Sequence, residues 1–568
     1  MPPNRLPPRT HAFRRPVLAS ALAPVLAPVL GWAAPALGGD LALQPRAGAP
    51  LVGLSAKELE LFTIGQALYV RPISPLDGLG PIFNKSNCGS CHSTPLGGWG
   101  SISVTHFGFE DKGKFIPMDE LGGSLLQAFS ISEGCREIVP FEANFTTIRV
   151  TNSSLAFGLV EAIPDAAIAA REDPFDADGD GISGRVHWTR PVEAAPDSPL
   201  RAGRFGWKAQ IATILTFSAE ASREEMGLTN RFFPTENAPN GDFERLAQCD
   251  EVPDPEDTID EEGYGFIDRV THFQRYLGPP PQTPRSGMAG EIVFHAIGCA
   301  KCHVPEWTTA DDPTLEAALR NRTIRPYSDF LLHEMGLLAD GLPQGMASES
   351  EFRTPTLWNL RTRDPMLHDG SAAGGTFADR VGTAILRHGP FGEGAASAAA
   401  FAGLPAAERS ALVSFLDSLG RLEFDLDGDN DVGIGDFLAL RDCLAAGGPI
   451  GPDHPCAVAD IDADGTLGPV DFGLFRVALG LEAADCNRNG VDDLVDLLLG
   501  TSADSDGDFR PDECMACPGD FDASGAVNSA DLAILLGAWG GPGGDLDFDG
   551  VTGASDLTIL LGSWGACR

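Results

Sequence analysis

Two short segments carry the residue types best suited to chemistry: Cys88-Gly-Ser-Cys91-His92 and Cys299-Ala-Lys-Cys302-His303. Each reads C-x-x-C-H, the attachment signature of a c-type haem. The order has a chemical reason. Two thiols separated by two residues can form thioethers to both vinyl groups of one porphyrin. The histidine that follows falls beneath the iron, where an imidazole nitrogen is a natural axial ligand. A single C-x-x-C could hold zinc or act as a redox pair. Two copies, each with a trailing histidine, point to two covalently bound haem c groups and hence to redox chemistry. The far side of each iron decides its kind: a second strong ligand makes an electron-transfer centre, whereas an open side can bind peroxide or oxygen. Candidates for that position are His106, His187, His272, His295, His333, His368, His388, Met226, Met335, Met346 and Met366.

These sites need a large frame, and the chain supplies one. Its 568 residues suit roughly two to four domains, with 43% hydrophobic residues for cores and 67 Gly and 44 Pro for long loops. The net charge of −40 and the lack of a basic stripe exclude nucleic acid and anionic membrane surfaces as natural partners. From Arg421 to Arg568 there are 29 acidic residues against 6 arginines and no lysine. A tail that acidic needs cations or stays unfolded.

The amino terminus reads as an export signal over residues 1–36. Arg5, Arg9, Arg14 and Arg15 precede an apolar run from Pro16 to Leu37, and Ala34-Pro35-Ala36 fits a small-x-small cleavage site. A periplasmic or extracellular, cell-surface location is expected, which agrees with covalent haem attachment. Of the 12 cysteines, four serve the haems. The even remainder suggests disulfides in an exported protein; spacing favours Cys443–Cys456, and Cys135–Cys249 is a second candidate.

The expected fold is mainly α: two cytochrome c-like haem domains with long loops, followed by calcium-loop and helix repeats. The haem region runs over 51–422, with the first haem in about 51–250 and the second in about 285–422. Helical patches are expected at Ala56–Tyr69, Ala209–Met226 and Ala406–Leu419, with an exposed acidic break near Pro253–Glu262 and a boundary near Gly420.

Past that boundary the chain repeats. Asp520, Asp522, Ser524 and Asp531, then Asp545, Asp547, Asp549 and Asp556, place oxygen side chains at positions 1, 3, 5 and 12 of two loops 25 residues apart, with Gly525 and Gly550 at position 6. That is the pattern of an EF-hand-type calcium loop. An earlier pair over 423–480 uses Asp425, Asp427, Asp429 and Asp436, then Asp460, Asp462, Asp464 and Asp471. Shorter acidic repeats fill 481–517, and 518–568 holds the last pair. A further calcium-type loop, Asp176-Ala-Asp178-Gly-Asp180, lies inside the haem region. Aspartate at position 12 and a single helix after each loop make 518–568 resemble dockerin type I modules, which implies calcium and a cohesin domain as partner. The middle stretch is more similar to thrombospondin type 3 repeats. At loop positions 10 and 11 the chain has Ser529-Ala530 and Ala554-Ser555, not the Ser-Thr usual in dockerins. Without a docking partner, the tail would be a calcium-stiffened stalk.

The haem region resembles bacterial dihaem cytochrome c peroxidases, and more closely their relatives, the dihaem oxidoreductases labelled thiol oxidoreductases. The likeness rests on Phe83-Asn84, Gly158-Leu-Val-Glu161-Ala-Ile-Pro164, Asp178-Gly-Asp-Gly-Ile-Ser-Gly-Arg185, Gly203-Arg-Phe-Gly-Trp207, Tyr327-Ser-Asp-Phe-Leu-Leu-His333, Phe352-Arg-Thr-Pro355, Pro365-Met-Leu-His368 and Ala384-Ile-Leu-Arg-His388. The resemblance implies three roles. Trp207 falls where the peroxidases place a tryptophan between the haems. Glu225 falls at the distal acid that moves a proton between peroxide oxygens, with Glu161 a rival. His388 falls where the peroxidases have methionine, and would make the second haem bis-histidine. His368 would fix a loop or a propionate, and His106 is a rival cap for the first iron. Phe217 stands where the peroxidases carry a distal glutamine, a departure that weakens peroxide binding. Two functions follow as expectations: a peroxidase-like oxidoreductase using a small redox donor or electron-carrier protein, or a non-catalytic electron carrier.

Overall fold

The computed structural model describes residues 42–250, 252–486, 489–504, 509–511, 519–522, 524, 526–547 and 550–566. The export segment, Asp549, Cys514, Cys517 and Cys567 lie outside the described residues. Those of Leu37–Ala483 and Leu494–Met515 form one compact unit, and those of Ala484–Asp493 and Ala516–Arg568 form another.

The haem region is built twice on one plan. In its first half, the helix Ala56–Val70 starts at a capping box in which Ser55 and Glu58 serve each other's backbone amides. It packs against the helix Phe266–Arg275. The crossing is close because Gly65 has no side chain: a Cβ there would lie 2.2 Å from the Arg269 carbonyl oxygen. In the second half, the helix Ala289–Ala296 packs against Ala406–Ser418. Gly290 plays the same part, since its Cβ would lie 2.0 Å from the Ala411 carbonyl oxygen. Aromatic pairs sit at both crossings, Tyr69 with Phe273 at 4.8 Å and Phe294 with Phe415 at 5.5 Å between ring centres. Each pair reaches the nearby C-x-x-C-H histidine: Tyr69 lies 6.2 Å from His92, and Phe294 lies 6.4 Å from His303.

The expected helices form at Ala56–Val70, Ile214–Met226 and Ala406–Ser418. Within a mainly helical frame, however, the loops carry small antiparallel sheets. The largest places Ser103–Asp111 between Lys114–Ile116 and Phe145–Val150, with Thr105 opposite Ile148. Its last residue joins the two halves: the Val150 amide donates to the His368 carbonyl at 2.7 Å, and the Val150 carbonyl accepts from Trp207 Nε1 at 2.9 Å. Beside it, Arg149 and Lys208 share the buried carboxylate of Asp340.

The favoured disulfide, Cys443–Cys456, and the second candidate, Cys135–Cys249, are both formed. The segment near Pro253–Glu262 is mostly exposed, as expected, with Asp257 the exception. Asp257 is buried and accepts the Ile267 amide at 3.1 Å, holding the start of the helix Phe266–Arg275.

The first repeat pair belongs to the same unit as the haem region. Its core joins Phe424, Phe437, Leu440, Phe472 and Phe475. Glu423 pairs with Arg285 at 2.7 Å. Each described position-12 aspartate acts inside its own loop. Asp436 accepts from Leu426 and Gly433, and Asp471 from Ile461 and Gly468. In the other unit, Asp531 accepts from Asp522 and Asn528, and Asp556 from Leu546 and Gly553. One carboxylate thus ties the loop start to the helix start four times over. That unit packs Val527, Leu535 and Leu560 as its core.

Candidate functional site: two haem-attachment turns

Both C-x-x-C-H motifs fold into the same tight turn. A 3-10 helix spans Cys88–Ser90 in one and Cys299–Lys301 in the other. The His92 amide bonds the Cys88 carbonyl at 3.0 Å, and the His303 amide bonds that of Cys299 at 2.9 Å. None of the four cysteines is in a disulfide. Burial raises the Cys88 and Cys299 thiols to about 12, so neither is an activated nucleophile. Burial also lowers His92 and His303 to about 4, keeping both imidazoles neutral, as metal ligation requires. Each ring is anchored through Nδ1, His92 to the Gly98 carbonyl at 3.2 Å and His303 to the Tyr327 carbonyl at 2.9 Å. That leaves Nε2 as the ligand atom and fixes the ring plane.

At the second turn, a cavity is lined by Cys299, Cys302, His303, His388, Trp207, Arg353 and Arg363. His388 follows the helix Phe377–Arg387, with Nδ1 bonded to the Ala384 carbonyl at 2.8 Å. His303 and His388 line the same cavity. Two buried arginines complete the lining. Arg353 and Arg363 are 5% and 4% exposed and donate only to backbone carbonyls. Burial, only partly opposed by the Asp329 charge, lowers Arg353 to about 10, and burial together with the Arg353 charge holds Arg363 well below its ordinary value. Unpaired buried guanidinium groups need anions, and haem propionates would supply them. Thiols, anchored imidazole and arginines therefore fit the group.

Other candidates here have different work. His333 bonds Glu393 through Nδ1 at 2.7 Å and Asp329 through Nε2 at 2.8 Å, so neither nitrogen is free for iron. His368 stacks on Phe352 at 4.0 Å and lies 6.0 Å from Trp207.

The first turn faces different groups. Glu225, in the last turn of Ile214–Met226, lies near enough for its charge to act on both Cys88 and Cys91. Its carboxylate accepts from Asn84 Nδ2 at 2.9 Å, and its backbone carbonyl accepts the Asn84 amide at 2.7 Å. Burial raises Glu225 to about 7, against the opposing pull of the Asn84 bond. A carboxyl poised there can give or take a proton at neutral pH. Glu161, the rival acid, is fully committed: Oε1 pairs with Arg275 at 2.8 Å and Oε2 accepts the Ile214 amide at 2.6 Å. It fixes the start of the helix that carries Glu225. His106 lies on the strand Ser103–Asp111 and feels Arg149 and Asp340.

Between the turns, Trp207 is 8% exposed and clusters with Trp99, Phe352 and Met335. Arg363 lies over the Trp99 ring at 3.2 Å and over Trp207 at 5.4 Å. The Trp99 carbonyl accepts the Thr94 amide, just past His92. An aromatic–guanidinium stack thus runs from the first turn to the second cavity. Sequence reasoning missed Trp99, Arg353 and Arg363, because their signal is tertiary. Asn84 was read only as a family feature.

Two of the calcium-type loops also meet a basic side chain. In the haem region, Asp173 joins Asp176 and Asp178 in one cluster, while Asp180 turns to Lys301 at 3.2 Å. A lysine ammonium competes with calcium for that carboxylate. In the first tail loop, Asp425 pairs with Arg361 at 3.1 Å, and the same guanidinium reaches the Gly428 carbonyl and Asn430 Oδ1. Asp425, Asp427 and Asp436 still converge, as do Asp460, Asp462 and Asp464.

Residues 142–419 match the family described as "Di-haem oxidoreductase, putative peroxidase". The match covers less than half of the chain. It contains the second C-x-x-C-H, Trp207, Glu225 and His388, and begins beyond the first C-x-x-C-H. Two solved structures show a slight likeness. One is a MauG-like protein associated with microbial copper homeostasis, with 14% identity over 67% of this chain and 93% of that one, and a TM-score of 0.30. The other is Kuenenia stuttgartiensis hydrazine synthase, with 14% identity over 72% of this chain and 99% of that one, and a TM-score of 0.27. No curated protein matches the chain.

Proposed function

We propose that the chain is an exported dihaem c-type oxidoreductase of peroxidase type, in which the site of His92 handles the substrate and the site of His303 receives electrons. One observation carries this reading: two attachment turns of the same construction face different partners, a proton-active carboxyl at the first and a second imidazole at the second. Bound haem supplies one-electron chemistry and an iron that can hold a small oxidant.

The chain's own residues do the rest. His92 and His303 present Nε2 on rings held by backbone carbonyls. His388 offers the second ligand at the electron-receiving site, and Arg353 and Arg363 neutralise propionates there. Glu225, oriented by Asn84, would hold the proton to be moved between the two oxygens of a bound peroxide. Trp207, stacked through Arg363 towards Trp99, lies on the electron path.

The reading includes a periplasmic or cell-surface location, a small redox donor or carrier protein as partner, and a tail whose acidic loops take calcium. Docking of residues 518–568 onto a cohesin domain is part of it, and pull-down with and without EDTA tests that step. For the chemistry, the reduced holoprotein is mixed with hydrogen peroxide and a reduced small donor. Donor oxidation at two electrons per peroxide supports the proposal; two inert haems contradict it and favour the electron carrier.

A further inference from the structure

Just beyond the helix that carries Glu225, three acids gather: Glu236 is buried, Glu256 half-buried and Asp254 exposed. Glu236 is 4% exposed, and no hydrogen-bond donor reaches either of its carboxylate oxygens. Ligand atoms of Glu236, Asp254 and Glu256 all lie within 4.8 Å of one another. The wholly buried Thr229 hydroxyl lies 2.7 Å from Asp254 Oδ1 and also touches Glu256 Oε2. One hydroxyl proton cannot serve both carboxylates. The charges felt by Glu236 are all acidic, those of Glu256, Asp254 and Asp250. Burying the Glu236 carboxylate beside two further acids costs several kcal/mol unless something positive sits among them.

We infer that Glu236, Asp254, Glu256 and the Thr229 hydroxyl form a calcium site within the first haem unit. The donor set is oxygen only and rich in carboxylates, which suits a hard cation and gives zinc or copper no nitrogen or sulfur ligand. Calcium tolerates irregular oxygen geometry, whereas magnesium demands a near-ideal octahedron.

The place in the fold gives the site a role. Thr229 stands just beyond the helix Ile214–Met226 that carries Glu225. The Asp257 amide bonds the Thr229 carbonyl at 3.1 Å, and Asp257 in turn holds the start of Phe266–Arg275. Gly78 abuts Glu256, where a Cβ would meet the Glu256 Cβ at 2.5 Å. Calcium here draws the segments around 229, 236 and 254–256 together and ties the end of the Glu225 helix to the helix that packs under the first haem turn.

The test uses full-length holoprotein, stripped with EDTA and equilibrated with buffered calcium, with magnesium as a separate arm. Calcium per chain is measured by elemental analysis for the parent and for Glu236→Gln, whose tail loops are identical. The expected result is one calcium fewer in the variant, no occupancy by magnesium at equal concentration, and loss of the calcium-dependent rise in the unfolding midpoint followed at the Soret band. Equal calcium counts with an unchanged midpoint shift would overturn the site. Should Glu236→Gln not yield folded holoprotein, Glu256→Gln at the half-exposed edge reads the same loss of one calcium, and an unchanged count there refutes it equally.

Discussion

The two halves of the haem region share a helix crossing, a glycine that permits it, an aromatic pair and the same cysteine turn. They differ in what faces the turn. The second half encloses His303 with His388, two unpaired arginines and Trp207 in one cavity. The first half brings Glu225 and Asn84 to its thiols. The shared parts place a porphyrin; the differing parts decide its chemistry. Matching frames can therefore hold unlike redox centres, because the distinguishing groups come from helices and loops far away in sequence.

The comparison breaks most sharply at Glu225. Glu225→Gln keeps the shape but loses the proton carrier, so peroxide turnover should fall by roughly 10²–10⁴-fold, while the spectrum of the second haem stays as it was. Stopped-flow with peroxide reads both. Its pH profile sharpens the point. With Glu225 raised to about 7, the carboxyl is protonated below that pH and cannot take the first proton. Turnover of the parent should rise as pH passes through about 7 and then level, and this limb should vanish in Glu225→Gln.

The next effect is at Trp207. Trp207→Phe removes the indole from the stack and leaves the Val150 carbonyl without its donor, a stability loss of about 1 kcal/mol. Electron transfer between the sites, followed after rapid reduction, should slow with no change in peroxide binding. His388→Met tests the other half. It should raise the potential of the second haem relative to the bis-histidine form, with spectroelectrochemistry showing one couple moved and the other fixed. The smallest effect on the haems should come from Asp556→Ala. Removing the carboxylate that ties two backbone amides should destabilise the tail unit in calorimetry and leave both haem spectra unchanged.

Much of this was legible in the sequence because it is local. C-x-x-C-H declares its chemistry within five residues, and the tail declares its loops by spacing. Glu225 and His388 were named through motif resemblance, and each lies at its expected turn. What escaped was tertiary. Nothing near Gly65 or Gly290 in sequence marks them as crossing points, since the carbonyls they clear belong to distant helices. Glu161 resembled an acid free to act, but Arg275, over a hundred residues on, claims one of its oxygens. Asp180 fits a calcium loop by spacing, and the Lys301 that stands beside it is distant in sequence. Acidic spacing in sequence cannot show which carboxylates a distant base will take.

The central claim is the asymmetry at the sixth position of the two irons, and cyanide titration of the oxidised holoprotein tests it most directly. By absorption and electron paramagnetic resonance, the account predicts one low-spin haem that ignores cyanide and one high-spin haem that binds a single equivalent. Two low-spin haems that both ignore cyanide would contradict it.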